Sequence, residues 1–161
     1  MPNDHDLLLH AVELARVARD SGNHPFGALL ADPAGEVLLR AQNTVVTDRD
    51  VTGHAETNLV RLASRTFPPD QLATTSLYSS AEPCAMCAGA LYWSGIGRLV
   101  YALAEASLLD LTGADPENPT LALPCRDVFA AGQRTIEVLG PYAIAAATDV
   151  HDGFWTRPSG P

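Results

Sequence analysis

Pro83-Cys84-Ala85-Met86-Cys87 follows His54-Ala55-Glu56 by about thirty residues. No other pair of segments restricts the possible folds as much. Each opens a stretch that reads as a helix, His54 to Thr66 and Pro83 to about Trp93. Proline suits the first helical turn. Cysteines at i and i+3 share one helix face. In the first turn, the helix dipole and free N–H groups favour thiolates. Two thiolates and one imidazole supply three corners of a zinc tetrahedron. To use them together, the chain must bring two helix starts to one place. In an open α/β sheet that place is the edge where ligands bind. Cys125 lies 38 residues past Cys87 in a proline-bounded stretch, so no fourth protein ligand is apparent. The expected site is zinc held by His54, Cys84 and Cys87, with water at the fourth corner as in catalytic sites. Glu56 falls off the ligand's own helix face, where a carboxylate can move a proton from the activated water to a leaving group. A C-x-x-C by itself also occurs in redox motifs and structural zinc sites. Glu56 separates these readings, because a structural site has no use for a carboxylate beside an open coordination position.

The 161 residues fit one domain spanning 1–161, with 142–161 as a C-terminal helix and tail. At 47% hydrophobic and 18% charged, the chain has material for a core. The formal charge is −9, and all ten bases are arginine. Without lysine there is no Schiff base and no P-loop lysine. The acidic balance argues against nucleic acid as a partner. Met1 to Asp6 lacks the basic region of an export signal. The longest uncharged apolar-leaning stretch, Pro83 to Gly97, has fifteen residues. A membrane-spanning helix needs about 20. A cytoplasmic protein with no membrane contact is expected.

Asp6 to Asp20 carries apolar residues at 8, 11, 12 and 15, a helical stripe. Phe26 to Ala31 and Glu36 to Ala41 read as a hairpin around Asp32-Pro33-Ala34-Gly35. Asn43 to Gly53 reads as loop. In the next helix, Leu59, Leu62 and Ala63 share a face. Further strands are expected at Thr75 to Ser80, Gly97 to Tyr101 and Thr135 to Leu139, and a closing helix at Tyr142 to Asp149. Leu108 to Leu123, with Pro116 and Pro119, reads as a loop lying over something. Strands separated by helices pair in parallel with helices on both faces. The expected fold is therefore α/β, a three-layer α/β/α sandwich on a five-stranded mixed sheet. Trp93 is placed in the core near the site. His5, His10, His24 and His151 have no ligand spacing and read as solvated or capping residues. Phe154 and Trp155 are expected to pack on their own domain or on a partner subunit.

H-A-E followed by P-C-x-x-C resembles the zinc-dependent deaminases of the cytidine-deaminase-like superfamily. Pro25-Phe26-Gly27-Ala28 is similar to the family's P-F-G-A segment, and Asn43 stands where relatives carry a base-binding asparagine. Gly89-Ala90-Leu91-Tyr92-Trp93 resembles bacterial guanine deaminases, and Asp115 stands where those enzymes place an aspartate that handles substrate. The chain departs from the family's P-T-A-H-A-E at Val51-Thr52-Gly53, and Ala81 replaces a usual cysteine. The resemblance implies hydrolytic deamination of an aminated nucleobase, with guanine going to xanthine and ammonia. It implies Glu56 and Asp115 as catalytic residues and Asn43, Phe26, Ala55 and Trp155 around the substrate. It also implies a homodimer. Nucleoside deamination is the alternative. Deamination of tRNA adenosine is disfavoured by the charge of −9.

Overall fold

The computed structural model describes residues 3–113 and 115–155. Within the expected tail, positions 156–161 lie outside the described residues.

Helix α1 (Asp4–Asp20) starts at Asn3, whose Oδ1 accepts from the Asp6 N–H at 2.9 Å. Asp4 and Asp6 in the first turn complement the helix dipole. The expected stripe of Leu8, Ala11, Val12 and Ala15 is buried. Strands β1 (Gly27–Ala31) and β2 (Val37–Gln42) form an antiparallel hairpin. Asp32 sets its turn by accepting from the N–H groups of Ala34 and Glu36. Helix α2 (Ala55–Thr66), the single turn α3 (Pro69–Leu72), β3 (Ser76–Ala81), α4 (Ala85–Ser94) and β4 (Arg98–Leu103) follow. The chain continues with α5 (Glu105–Thr112), α6 (Cys125–Ala130), β5 (Glu137–Leu139) and α7 (Ala145–Asp149). The sheet order is β2-β1-β3-β4-β5. β1 is antiparallel to β2 and β3; the β3–β4 and β4–β5 pairs are parallel.

Period-two alternation divides the core between the two faces. Leu30, Leu77, Leu99 and Tyr101 pack with α2, α4 and α6. Leu29, Tyr78, Val100 and Ala102 pack with α1 and α7. The result is the expected mixed three-layer sandwich. Gly27 is required by close approach: a Cβ there would overlap the Ala11 carbonyl and the Ala15 backbone of α1. Among the described residues, no helix is long and apolar enough to cross a membrane.

Four expectations need correction. Leu108 to Thr112 belongs to helix α5, and the loop is confined to the stretch after it; Leu108 is buried on the sheet, which anchors that turn. Trp93 is 84% exposed, because α4 turns Leu91 inward and leaves Trp93 outside. On α2 the buried face is Glu56, Leu59, Val60 and Ala63, with Leu62 outside. His24 and His151 are buried rather than solvated.

Candidate active site

Strand β3 ends at Ala81, and three residues later Cys84 caps the N-terminus of α4. The β2–α2 loop ends at His54, the residue that caps α2. Because α2 and α4 pack side by side, the two caps meet. His54 Nδ1 lies 3.6 Å from Cys84 Sγ and 3.5 Å from Cys87 Sγ. All three ligand atoms fall within 4.8 Å of one another. With Zn–S near 2.3 Å and Zn–N near 2.0–2.1 Å, a tetrahedral ion holds N and S about 3.6 Å apart. Donor chemistry and spacing therefore both fit zinc. Thr57 Oγ1 is 3.2 Å from Cys87 Sγ and supports that ligand from behind.

Hydrogen bonding from Cys87, then from His54, favours the thiolate of Cys84 and pulls its pKa down to about 4. Cys87 moves the opposite way: the bond to Cys84 and burial keep its proton on. The pair thus holds one proton readily and gives up the other, and a metal ion takes both sulfurs as thiolates. The same bond to Cys84 raises the pKa of His54.

Glu56 is one residue into α2 and 4% exposed. Ser79 donates to its Oε1 at 2.6 Å. Burial is the main cause that raises the Glu56 pKa. It is a carboxyl group that binds a proton more readily than usual, fixed beside the three ligands.

His54, Cys84 and Glu56 open onto a cavity of about 470 Å³, while Cys87 is buried behind them and does not line it. Phe26, Asn43, His54, Glu56 and Cys84 are among its lining residues. Asn43 Oδ1 accepts from the Val45 N–H at 3.1 Å, which leaves the amide nitrogen to donate to a ligand. Pro116 to Leu121 forms one wall, so the proline-bounded loop does lie over something. Ala55, Asp115 and Trp155 are not among the lining residues. Ala55 is fully buried at the start of α2. Asp115 Oδ1 accepts from the Glu117 N–H at 2.9 Å and shapes the turn that carries Glu117 to the cavity. Trp155 reaches the cavity only through its neighbours: its ring centroid is 5.3 Å from His24 and 6.2 Å from Phe26. The tail aromatics pack on their own chain.

Sequence reasoning missed several polar groups. Glu82 Oε2 accepts from the Glu105 N–H and Oε1 from the Cys125 N–H, tying the starts of α5 and α6 to the site. Glu105 itself lines the cavity, and burial followed by the charge of Cys84 pushes it up to about 7. Glu117 Oε2 lies 3.1 Å from His24 Nε2. Polar Ser79 and Ser80 inside a wholly buried strand, and Glu105 just past the end of β4, were the available signals.

Residues 1–103 match the cytidine and deoxycytidylate deaminase zinc-binding region. A probable cytosine deaminase of Schizosaccharomyces pombe is 43% identical over 148 residues, 92% of this chain and 90% of that protein. The guanine deaminase of Bacillus subtilis is 39% identical over 101 residues, 62% of this chain and 64% of that one. A solved guanine deaminase from Nitrosomonas europaea superposes with a TM-score of 0.77 at 27% identity, covering 94% of this chain and 84% of that one.

Proposed function

The chain belongs to the family of the cytidine and deoxycytidylate deaminase zinc-binding region, and from that premise we propose that it hydrolyses a free aminated nucleobase, guanine in the first reading. The observation that carries this reading is Glu56, buried, held by Ser79 and open to the same cavity as the metal ligands His54 and Cys84. Hydrolysis exchanges a ring C–NH2 for C=O and releases ammonia. His54, Cys84 and Cys87 would hold zinc, which would supply the Lewis acidity that activates water for this exchange. Glu56 accepts the proton that the attacking water loses and delivers it to a ring nitrogen; it then takes the remaining proton of the added hydroxyl, as the C=O forms, and delivers that one to the departing amine. Its raised pKa suits both halves of that task. Asn43 donates its amide N–H to the ring edge, and Phe26 forms an apolar wall. Asp115 and Trp155 act at one remove, as positioning residues for Glu117 and for Phe26.

Guanine is supported by the Gly89 to Trp93 segment and by the fold shared with the N. europaea enzyme. Cytosine is the second reading, favoured because similarity to the S. pombe protein extends over 92% of this chain, well beyond residue 103. Ammonia release from guanine, cytosine and their nucleosides, with zinc quantified on the same sample, tests the reading. Faster turnover of a free base than of its nucleoside is expected. A nucleoside turned over faster, or neither base turned over, overturns it. The domain reading, 1–161 as one deaminase unit acting as a homodimer in the cytoplasm, belongs to the same proposal. Support for the homodimer is an uncharged α4 with Trp93 exposed.

A further inference from the structure

We propose that Glu105, with Glu117 at the rim, makes the cavity a charge filter that admits uncharged or cationic aminated heterocycles and refuses anionic ones such as nucleoside phosphates. The inference deepens the proposed deamination and rests on that reading for the identity of the ligand, though not for the filter itself.

Four glutamates line the cavity: Glu56, Glu82, Glu105 and Glu117. No arginine lines it among the described residues. Bound zinc does not offset them, because two thiolates cancel the charge of the ion and the imidazole binds neutral. Of the four glutamates, His24 is hydrogen-bonded to Glu117, at 3.1 Å, and its ring otherwise packs on Phe154 and Trp155. The four carboxyl groups are not equivalent. Both Glu82 oxygens are engaged by backbone N–H groups of Glu105 and Cys125. Ser79 holds Glu56 for proton transfer. Glu105 is half-buried, and among the described residues its side chain has no hydrogen-bond or ion-pair partner. Its oxygens are therefore left to face what enters. They can accept from the N–H-rich edge of an aminated ring, and they repel a phosphate. Burial first, then the negative charge around it, raises the Glu105 pKa to about 7, so its charge acts in full only above that pH, where the rates below are compared. Interactions between charges are stronger in a partly enclosed space than in open water, and salt weakens them.

The field can be read without any substrate. Zinc-loaded protein is challenged with two chelators, dianionic dipicolinate and neutral phenanthroline, and the rate of zinc release is followed. Wild type, Glu105→Gln, Glu117→Gln and the double variant are compared, with zinc content and circular dichroism checking the fold. In the double variant, release to dipicolinate is expected to rise about tenfold, while release to phenanthroline changes less than about twofold. Raising salt from about 0.05 M to about 0.5 M should speed dipicolinate on wild type selectively, a measurement that needs no variant. Rates that rise together for both chelators, or a dipicolinate rate that moves with neither variant nor salt, overturn the filter. A second arm compares competition by a nucleoside and its 5′-monophosphate for the cavity. Weaker competition by the monophosphate, with the gap narrowing in the double variant, supports the filter. Equal competition in wild type refutes it. Failure of base turnover with an intact chelator contrast would sink the deamination reading alone.

Discussion

Glu56 and His151 are both buried titratable side chains, and they place opposite demands on their surroundings. Glu56 needs a neighbour that keeps its oxygens aimed, which Ser79 provides. Glu56→Gln keeps the shape and removes the proton acceptor. Turnover should fall by about 10²–10⁴-fold while bound zinc stays near one per chain, and parallel kinetics and metal analysis check both. Loss of zinc together with activity would instead make Glu56 a structural group. His151 receives the Trp155 indole N–H on Nδ1 at 3.0 Å, so the ring proton sits on Nε2, which has no partner among the described residues. Burial holds its pKa down, from 6.5 to about 4. Between those values the unfolded chain binds a proton that the native chain refuses. Stability should therefore fall as pH drops from 6.5 towards 4. His151→Leu should flatten that part of the profile, as followed by urea midpoints across the range. The contrast also explains what the sequence could disclose. The metal ligands are legible because the chemistry needs those side chains at that spacing. Glu105, Glu82 and His151 acquire their roles from burial and from neighbours distant in the chain, which no local pattern carries.

Elements follow the same logic. Strands β1, β3 and β4 and helices α1 and α2 were legible because each buries one face or both, so the apolar pattern records the contact; α4 has no apolar stripe and was legible from Pro83 at its start. Helices α5 and α6 were not: they have eight and six residues, and their starts are held by Glu82, a side chain far away in sequence. The wall that follows α5 is held still more loosely. From Pro116 to Leu123, the hydrogen bond of Glu117 to His24 is the one described link to chain beyond 115–124. Asn118 Nδ2 and Thr120 Oγ1 are buried without partners among the described residues. Amide exchange across this wall should be among the fastest in the described chain and should slow when a base occupies the cavity. Unchanged exchange at saturating base would show a wall preset for its ligand. The junction of α1 and β1 is the opposite case. Gly27→Ala forces a methyl group into the α1 backbone and should cost about 1–3 kcal/mol in denaturant unfolding. A neutral result would mean that α1 can slide.

At the scale of the molecule, a net charge of −9 opposes self-association over most of the surface. A homodimer then needs a face where that charge is absent. Helix α4, Ala85–Ser94, has no charged residue and leaves Met86 and Trp93 exposed. Tyr92 and Trp93 stack edge to face at 5.4 Å, which extends the apolar surface. Met86 also lines the cavity. A second copy docked on this face would therefore border the cavity as well as hide the tryptophan. Trp93→Arg adds a charge to the exposed face, near the C-terminal end of α4, without touching the core, the zinc ligands or Glu56. Sedimentation should give a dimer for wild type and a monomer for the variant, with melting behaviour of the isolated fold little changed. Because Met86 sits at the cavity, the variant should also lose affinity for its base more than it loses maximal rate. A wild-type monomer at all concentrations would remove the dimer. A Trp93→Arg variant that remained dimeric would move the interface to another face.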